Sequence, residues 1–198
     1  MKINRMKINR NVFLEEILKT KGNKGTQYCK YSGLNFNFDW CAIFTSYIMR
    51  EIAGIKDFPK STSCTQIKNS PFAIPKKNMS FKTAEVGDII LFELNNPSDG
   101  PDHIGIVVEN SNGIISVLEG NTGCNDFNNS YVSVNQYSFT SRVLDCIIDM
   151  SEYFTDEFFP NIDDEFFPKK EKEQSTTDNN KIIEVFRKIK ELLLSVEI

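Results

Sequence analysis

The chain has 198 residues, 40% of them hydrophobic, and a formal net charge of −4 with a pI near 5.2, enough for one well-buried domain with appendages. Acidic residues gather after Met150 and no basic surface suited to a phosphate backbone is legible, so nucleic acid is excluded as an expected partner. No apolar run reaches the roughly eighteen residues that a membrane-crossing helix needs, and the first residues lead into no apolar signal core; the expectation is no integral membrane segment and synthesis in the cytoplasm without a Sec signal.

Met1-Lys2-Ile3-Asn4-Arg5 is repeated at once as Met6-Lys7-Ile8-Asn9-Arg10. The tandem is too short to be a structural repeat and reads as an alternative start or an appended sequence, so residues 1–10 are set apart from a predicted domain at 11–149. Within 11–19, Phe13, Leu14, Ile17 and Leu18 share a helical face behind an asparagine cap, ending near Gly22. Residues 22–39 show little periodicity and are expected to be a loop delivering Trp40-Cys41. From Cys41 to Ala53 there is no Gly or Pro, and Cys41, Phe44, Thr45, Ile48 and Ile52 recur at helical spacing up to a stop at Gly54. Residues 55–84 hold Pro59, Pro71 and Pro75 among Ser, Thr and Lys, which predicts a long surface excursion of the kind that walls a substrate groove. β-rich runs follow at 89–94, 103–109, 113–118, 131–134 and 142–148, separated by turn signals of which Asn110-Ser111-Asn112-Gly113 is the strongest. Helices followed by about five sequential strands predict an α+β fold, with N-terminal helices packed on a curved antiparallel sheet.

After Met150 the character changes. Asp156-Glu157-Phe158-Phe159-Pro160 recurs as Asp164-Glu165-Phe166-Phe167-Pro168, so 150–179 reads as an acidic Phe/Pro linker with two aromatic anchors, docked back on the domain or used on a partner. In 180–198, Ile182, Val185, Phe186, Ile189, Leu193 and Val196 form one apolar stripe with Glu184 and Lys188 paired on the polar side. That amphipathic helix needs a partner surface: its own domain, a second copy, a target protein or, third, a membrane surface.

Five cysteines, at 29, 41, 64, 124 and 146, show no C-x-x-C pairing, and His103 is the only histidine. A zinc site or disulfide framework is therefore not expected. Cys41 falls in the first turn of its helix, where unpaired backbone N–H groups and the helix dipole favour a thiolate. Cys64 reads as part of a Ser/Thr loop and Cys146 as part of an apolar β-run, while Cys29 and Cys124 lack helix context. His103 opens one β-run and Glu119 closes the next, so a hairpin at 110–113 brings both to the same end of the sheet, although alternation leaves open whether they share a face. If they do, Glu119 or Asn121 accepts the imidazole N–H and turns the other nitrogen to Cys41. Asp102 is a poor orienter because adjacent strand residues point apart.

Asp39-Trp40-Cys41-Ala42-Ile43-Phe44, Gly87-Asp88-Ile89-Ile90-Leu91-Phe92, Asp102-His103-Ile104-Gly105-Ile106-Val107 and Glu119-Gly120-Asn121-Thr122, in that order, resemble the CHAP family, the cysteine, histidine-dependent amidohydrolases/peptidases of bacterial cell-wall metabolism and phage lysis. The resemblance runs from about residue 11 to 148. It implies a papain-like α+β fold, Cys41 as nucleophile, His103 as base and then acid, Glu119 as orienter of the imidazole and Asn121 as an assisting polar group. It also implies a peptidoglycan peptide as substrate, cut as an amidase or as a stem or cross-bridge endopeptidase, at the cell wall after release or dedicated export. Two features depart from the family: no wall-binding module is legible after residue 150, and Asn35-x-Asn37-x-Asp39 offers one carboxylate where some relatives bind calcium, so no metal or other cofactor is expected. A binding module with a relic triad, and a cysteine enzyme acting on protein substrates, are the competing readings.

Overall fold

A computed structural model of the chain describes residues 7–34, 38–95, 100–123 and 128–157. Cys124, the asparagines of the Asn35-x-Asn37 pair, the linker beyond residue 157 and the C-terminal amphipathic helix lie outside those residues.

The described residues form an α+β fold. Strand β1 (Ile8–Asn9) leads into α1 (Arg10–Leu18), followed by α2 (Thr26–Ser32), α3 (Cys41–Tyr47) and α4 (Cys64–Lys68). The remaining strands are β2 (Lys77–Asn78), β3 (Ile89–Phe92), β4 (His103–Ser111), β5 (Ile114–Thr122), β6 (Tyr131–Ser138), β7 (Leu144–Ile148) and β8 (Phe154–Thr155). Six of them make one antiparallel sheet in the order β2-β7-β3-β4-β5-β6, while β1 and β8 pair in parallel as a small second sheet. All five predicted strands are present, the short β2 adding a sixth at the edge.

Asn9 caps α1, its side-chain oxygen accepting from the backbone N–H groups of Asn11 and Val12. Phe13 and Ile17 bury the inner face of the helix. The predicted second helix is present over its full length, but its latter half, Ile48–Ile52, is wound as a π-helix before Gly54 ends it at φ +70°. The β4–β5 hairpin turns on Asn112 and Gly113, both at positive φ, which is the two-residue Asn-Gly turn that matches strand twist.

Three expectations need correction. Residues 22–39 are not all loop, because Thr26–Ser32 is helical and buries Cys29 as well as Tyr28, the latter against Trp40 and Phe44. Nor is 55–84 wholly a surface excursion: much of it is exposed, but Ile55, Phe58, Cys64, Ile67 and Ala73 are buried in the main core, and α4 lies within the segment. Its apolar residues are too irregularly spaced to show a period, so only tertiary packing reveals them. The domain also does not stop at residue 149 or begin at 11. Met150, Tyr153 and Phe154 are core residues, β8 pairs with β1, and Arg10 binds the Val86 carbonyl and the Glu85 carboxylate.

The main core lies between α1–α4 and one face of the sheet, through Ile89, Leu91, Ile104, Ile106 and Leu118. A smaller cluster, including Ile90, Phe92, Val107, Ile115 and Val117, fills the other face. Asp88 ties the sheet's start to its end: its carboxylate accepts the N–H groups of Glu85 and Met150. Among the described residues no helix is long and apolar enough to cross a membrane.

Candidate active site

Whether His103 and Glu119 share a face is decided by one extra residue in β4. Counting from the turn, Ser111, Asn110 and Glu109 face Ile114, Ile115 and Ser116; Val107 then faces Val117, leaving Val108 as the bulge. Continued without that bulge, the register would set Glu119 opposite Ile106, on the face away from His103. With it, Glu119 sits opposite Gly105, two residues from His103 and therefore on the same side. A Cβ at Gly105 would lie 2.7 Å from Glu119 Cγ and 2.5 Å from a Val117 methyl, so the missing side chain makes the room through which Glu119 crosses toward the imidazole.

His103 Nε2 donates to Glu119 Oε2 at 2.8 Å. The same oxygen accepts from Asn135 Nδ2 and from the Tyr137 hydroxyl, each at 3.2 Å, while Oε1 is buried with no hydrogen-bond partner among the described residues. Both donors come from β6, at alternate positions on one face, and Tyr137 packs on Phe92, which in turn packs on His103. With Nε2 engaged, Nδ1 is the nitrogen left for the Cys41 thiol, whose interaction with the imidazole is among the causes of both groups' pKa shifts.

Cys41 is the first residue of α3. Its Sγ lies 3.7 Å from that of Cys64, the first residue of α4. Two serines bring the helices together: Ser46 on α3 donates to the Ser61 carbonyl and accepts the Ser61 N–H, and Ser63 caps α4 by accepting from Gln66. The thiol of Cys64, followed by the bond and positive charge of His103 and the Ala42 N–H, outweighs burial and lowers Cys41 to about 5. Burial opposes charge on His103, yet its bonds to Cys41 and Glu119 and their negative charge push it up to about 10. Cys64 moves the other way: its bond to Cys41, burial and the Cys41 charge keep its proton on. The directions of these shifts favour a thiolate–imidazolium pair with a neutral thiol beside it, in a site where Cys41 is 4%, His103 7% and Glu119 2% exposed.

Asn121 does not join that line. At φ +62°, it donates to Asp39 Oδ1 at 2.8 Å and accepts from the Ser130 hydroxyl at 2.9 Å. Ser130 in turn accepts from the Trp40 indole N–H at 2.9 Å. Of the two residues before Cys41, Asp39 is thus held by Asn121 directly and Trp40 through Ser130, and Asn121 acts as a brace for the start of α3. Asp102 is committed to the β3–β4 loop, where it accepts from the backbone of Leu94 and Asn95.

Sequence reasoning missed Cys64, Asn135, Tyr137 and Ser130. Ser63 before Cys64 was a usable helix-start signal, and Asn135 and Tyr137 follow the apolar alternation of a strand that simply continues past 134. The remaining described cysteines, Cys29 and Cys146, are buried free thiols, and Cys146 is pushed up to about 12 by burial and Asp145. Among the described residues, no cluster of three or more His, Cys, Asp or Glu side chains is arranged to hold a metal ion.

No family model matches the chain, and no curated protein matches it. Among solved structures, the crystal structure of Ly7917 superposes with a TM-score of 0.48 at 18% identity, over 71% of this chain and 61% of that one, so the chain spans less than two thirds of Ly7917.

Proposed function

We propose that this chain is a thiol-dependent amidohydrolase of the CHAP kind, papain-like in arrangement, that cleaves an amide bond of bacterial peptidoglycan. The observation that carries the proposal is the buried set Cys41, His103 and Glu119, with the imidazole 2.8 Å from the carboxylate and electrostatically coupled to a thiol at a helix start. A binding module has no physical need for a thiolate–imidazolium pair, whereas acyl transfer does.

In this reading the Cys41 thiolate attacks the amide carbon, and backbone N–H groups at the start of α3 receive the charge that develops on oxygen. His103 gives its Nδ1 proton to the leaving nitrogen as the C–N bond breaks, leaving a thioester. Water, deprotonated by the same nitrogen, then attacks the thioester, releasing the acid and restoring the thiolate beside the imidazolium. Glu119 holds the ring in the orientation that both steps need. The site of action is the bacterial cell wall, reached by release or dedicated export.

The test is mass spectrometry of peptidoglycan from walls of several cross-bridge types, digested by the protein and by Cys41→Ala. New amino termini that the variant does not produce are expected, and their identity distinguishes amidase from endopeptidase. Equal release by Cys41→Ala would overturn the assignment; no release from any wall, with Cys41 still reactive to iodoacetamide, would move the substrate to protein.

A further inference from the structure

A sulfur–sulfur contact of 3.7 Å joins the nucleophile to Cys64. Nothing in the hydrolytic cycle requires a thiol at that place, since a hydroxyl or a backbone N–H would also donate to a thiolate. Cys64 is 6% exposed, stands on a five-residue helix, and that helix touches the loop leading to His103 through Thr65 and Pro101.

We propose that Cys64 is the resolving thiol of a reversible oxidation site at the nucleophile, with a hydroperoxide as the oxidising co-substrate and a dithiol as the reductant. The proposal rests on reading Cys41 as the reactive thiolate and is independent of which amide bond is cut. The thiolate takes one oxygen from the hydroperoxide, leaving Cys41 as a sulfenic acid and the peroxide as an alcohol or water. The Cys64 sulfur then attacks the Cys41 sulfur; the sulfenic oxygen leaves as water with the Cys64 proton, and a disulfide forms. Two electrons pass from the two sulfurs to the peroxide oxygen, and a dithiol returns them by exchange.

Bringing the sulfurs from 3.7 Å to the ~2.05 Å of a disulfide takes movement of ~1.7 Å. The low-pKa thiolate beside His103 is the sulfur that reacts with peroxide first, and the neutral Cys64 thiol waits in contact with it. Hydrolysis stops in the oxidised form because the attacking sulfur is tied up. A lone active-site cysteine would instead climb to sulfinic acid, which dithiols do not reverse.

The experiment uses the full chain with hydrogen peroxide as the probe, followed by peptide mapping and thiol titration under denaturing conditions. Expected are the loss of two titratable thiols, a peptide pair linked through Cys41 and Cys64, loss of Cys41 labelling by iodoacetamide, and full return of labelling with dithiothreitol. In Cys64→Ala, peroxide is expected to convert Cys41 to sulfinic acid with no return of labelling. Cys41 that alkylates readily but oxidises to sulfinic acid in the unaltered chain, with no linked peptide, would overturn this proposal alone. Cys41 inert to both iodoacetamide and peroxide would overturn it together with the functional reading beneath it.

Discussion

At the scale of single residues, the site depends on charge held in a nearly dry place. Glu119 accepts three hydrogen bonds on one oxygen, and its charge is one of the causes that keep His103 protonated. Activity should therefore follow a bell-shaped pH profile. It rises as Cys41 loses its proton near pH 5 and falls as His103 loses its own near pH 10. In Glu119→Gln the neutral amide no longer favours imidazolium, so the alkaline limb is expected to move to lower pH and kcat to fall by ~10²-fold or more, with KM little changed. A pH–rate series on the two proteins measures both effects, and an unmoved alkaline limb would remove Glu119 from the site.

Between elements, what matters is how closely β5 approaches α3 and which way its side chains alternate. Glu119 turns to one face of the sheet, and Gly120 meets α3 on the other, where an added Cβ would lie 2.6 Å from the Trp40 ring and 2.8 Å from Phe44 Cβ. Neither aromatic can yield, since both are fully buried and packed against Tyr28. Gly120→Ala is expected to cost about 1–3 kcal/mol of stability, the range of overpacking a filled core, measured from the shift in urea midpoint at unchanged slope. A wild-type midpoint would mean that α3 is not held against β5 as described. The Val108 bulge has the complementary role of setting the parity of β4 against β5, and with it the meeting of His103 and Glu119.

At the scale of the whole molecule, the described domain is closed by its two ends. Arg10 is 7% exposed; it binds the Val86 carbonyl and Glu85, lies at ion-pair distance, 3.2 Å, from Asp156, and stands over the Phe154 ring. It thereby fastens the start of α1 to the turn before β3 and to β8. Because Glu85 and Asp156 are largely exposed, Arg10→Ala leaves no buried carboxylate behind. Its expected cost is that of one carbonyl hydrogen bond and the packing on Phe154, about 1–3 kcal/mol. Thermal unfolding of the variant measures this; no change in Tm would show that the ends are fastened by β1 and β8 alone. Lys7 to Arg10 of the second Met-Lys-Ile-Asn-Arg copy are in this way part of the folded domain, which the repetition in the sequence disguised.

Local signals in the sequence were sufficient for the α+β class, for five strands in chain order, for the Asn112-Gly113 hairpin and for Cys41 at a helix start, because periodicity, turn chemistry and capping act over a few residues. They also selected His103, the lone imidazole, and Glu119 as its neighbour at the same end of a hairpin. The shared face was beyond them, since it depends on a one-residue bulge that no local preference announces. So were the contact of Cys64 with Cys41, which joins residues 23 apart in the chain through a segment with no period, and the role of Asn121 as a brace on Asp39. Tertiary pairing decided these: each needs two elements brought together, a long-range event that a single segment does not encode.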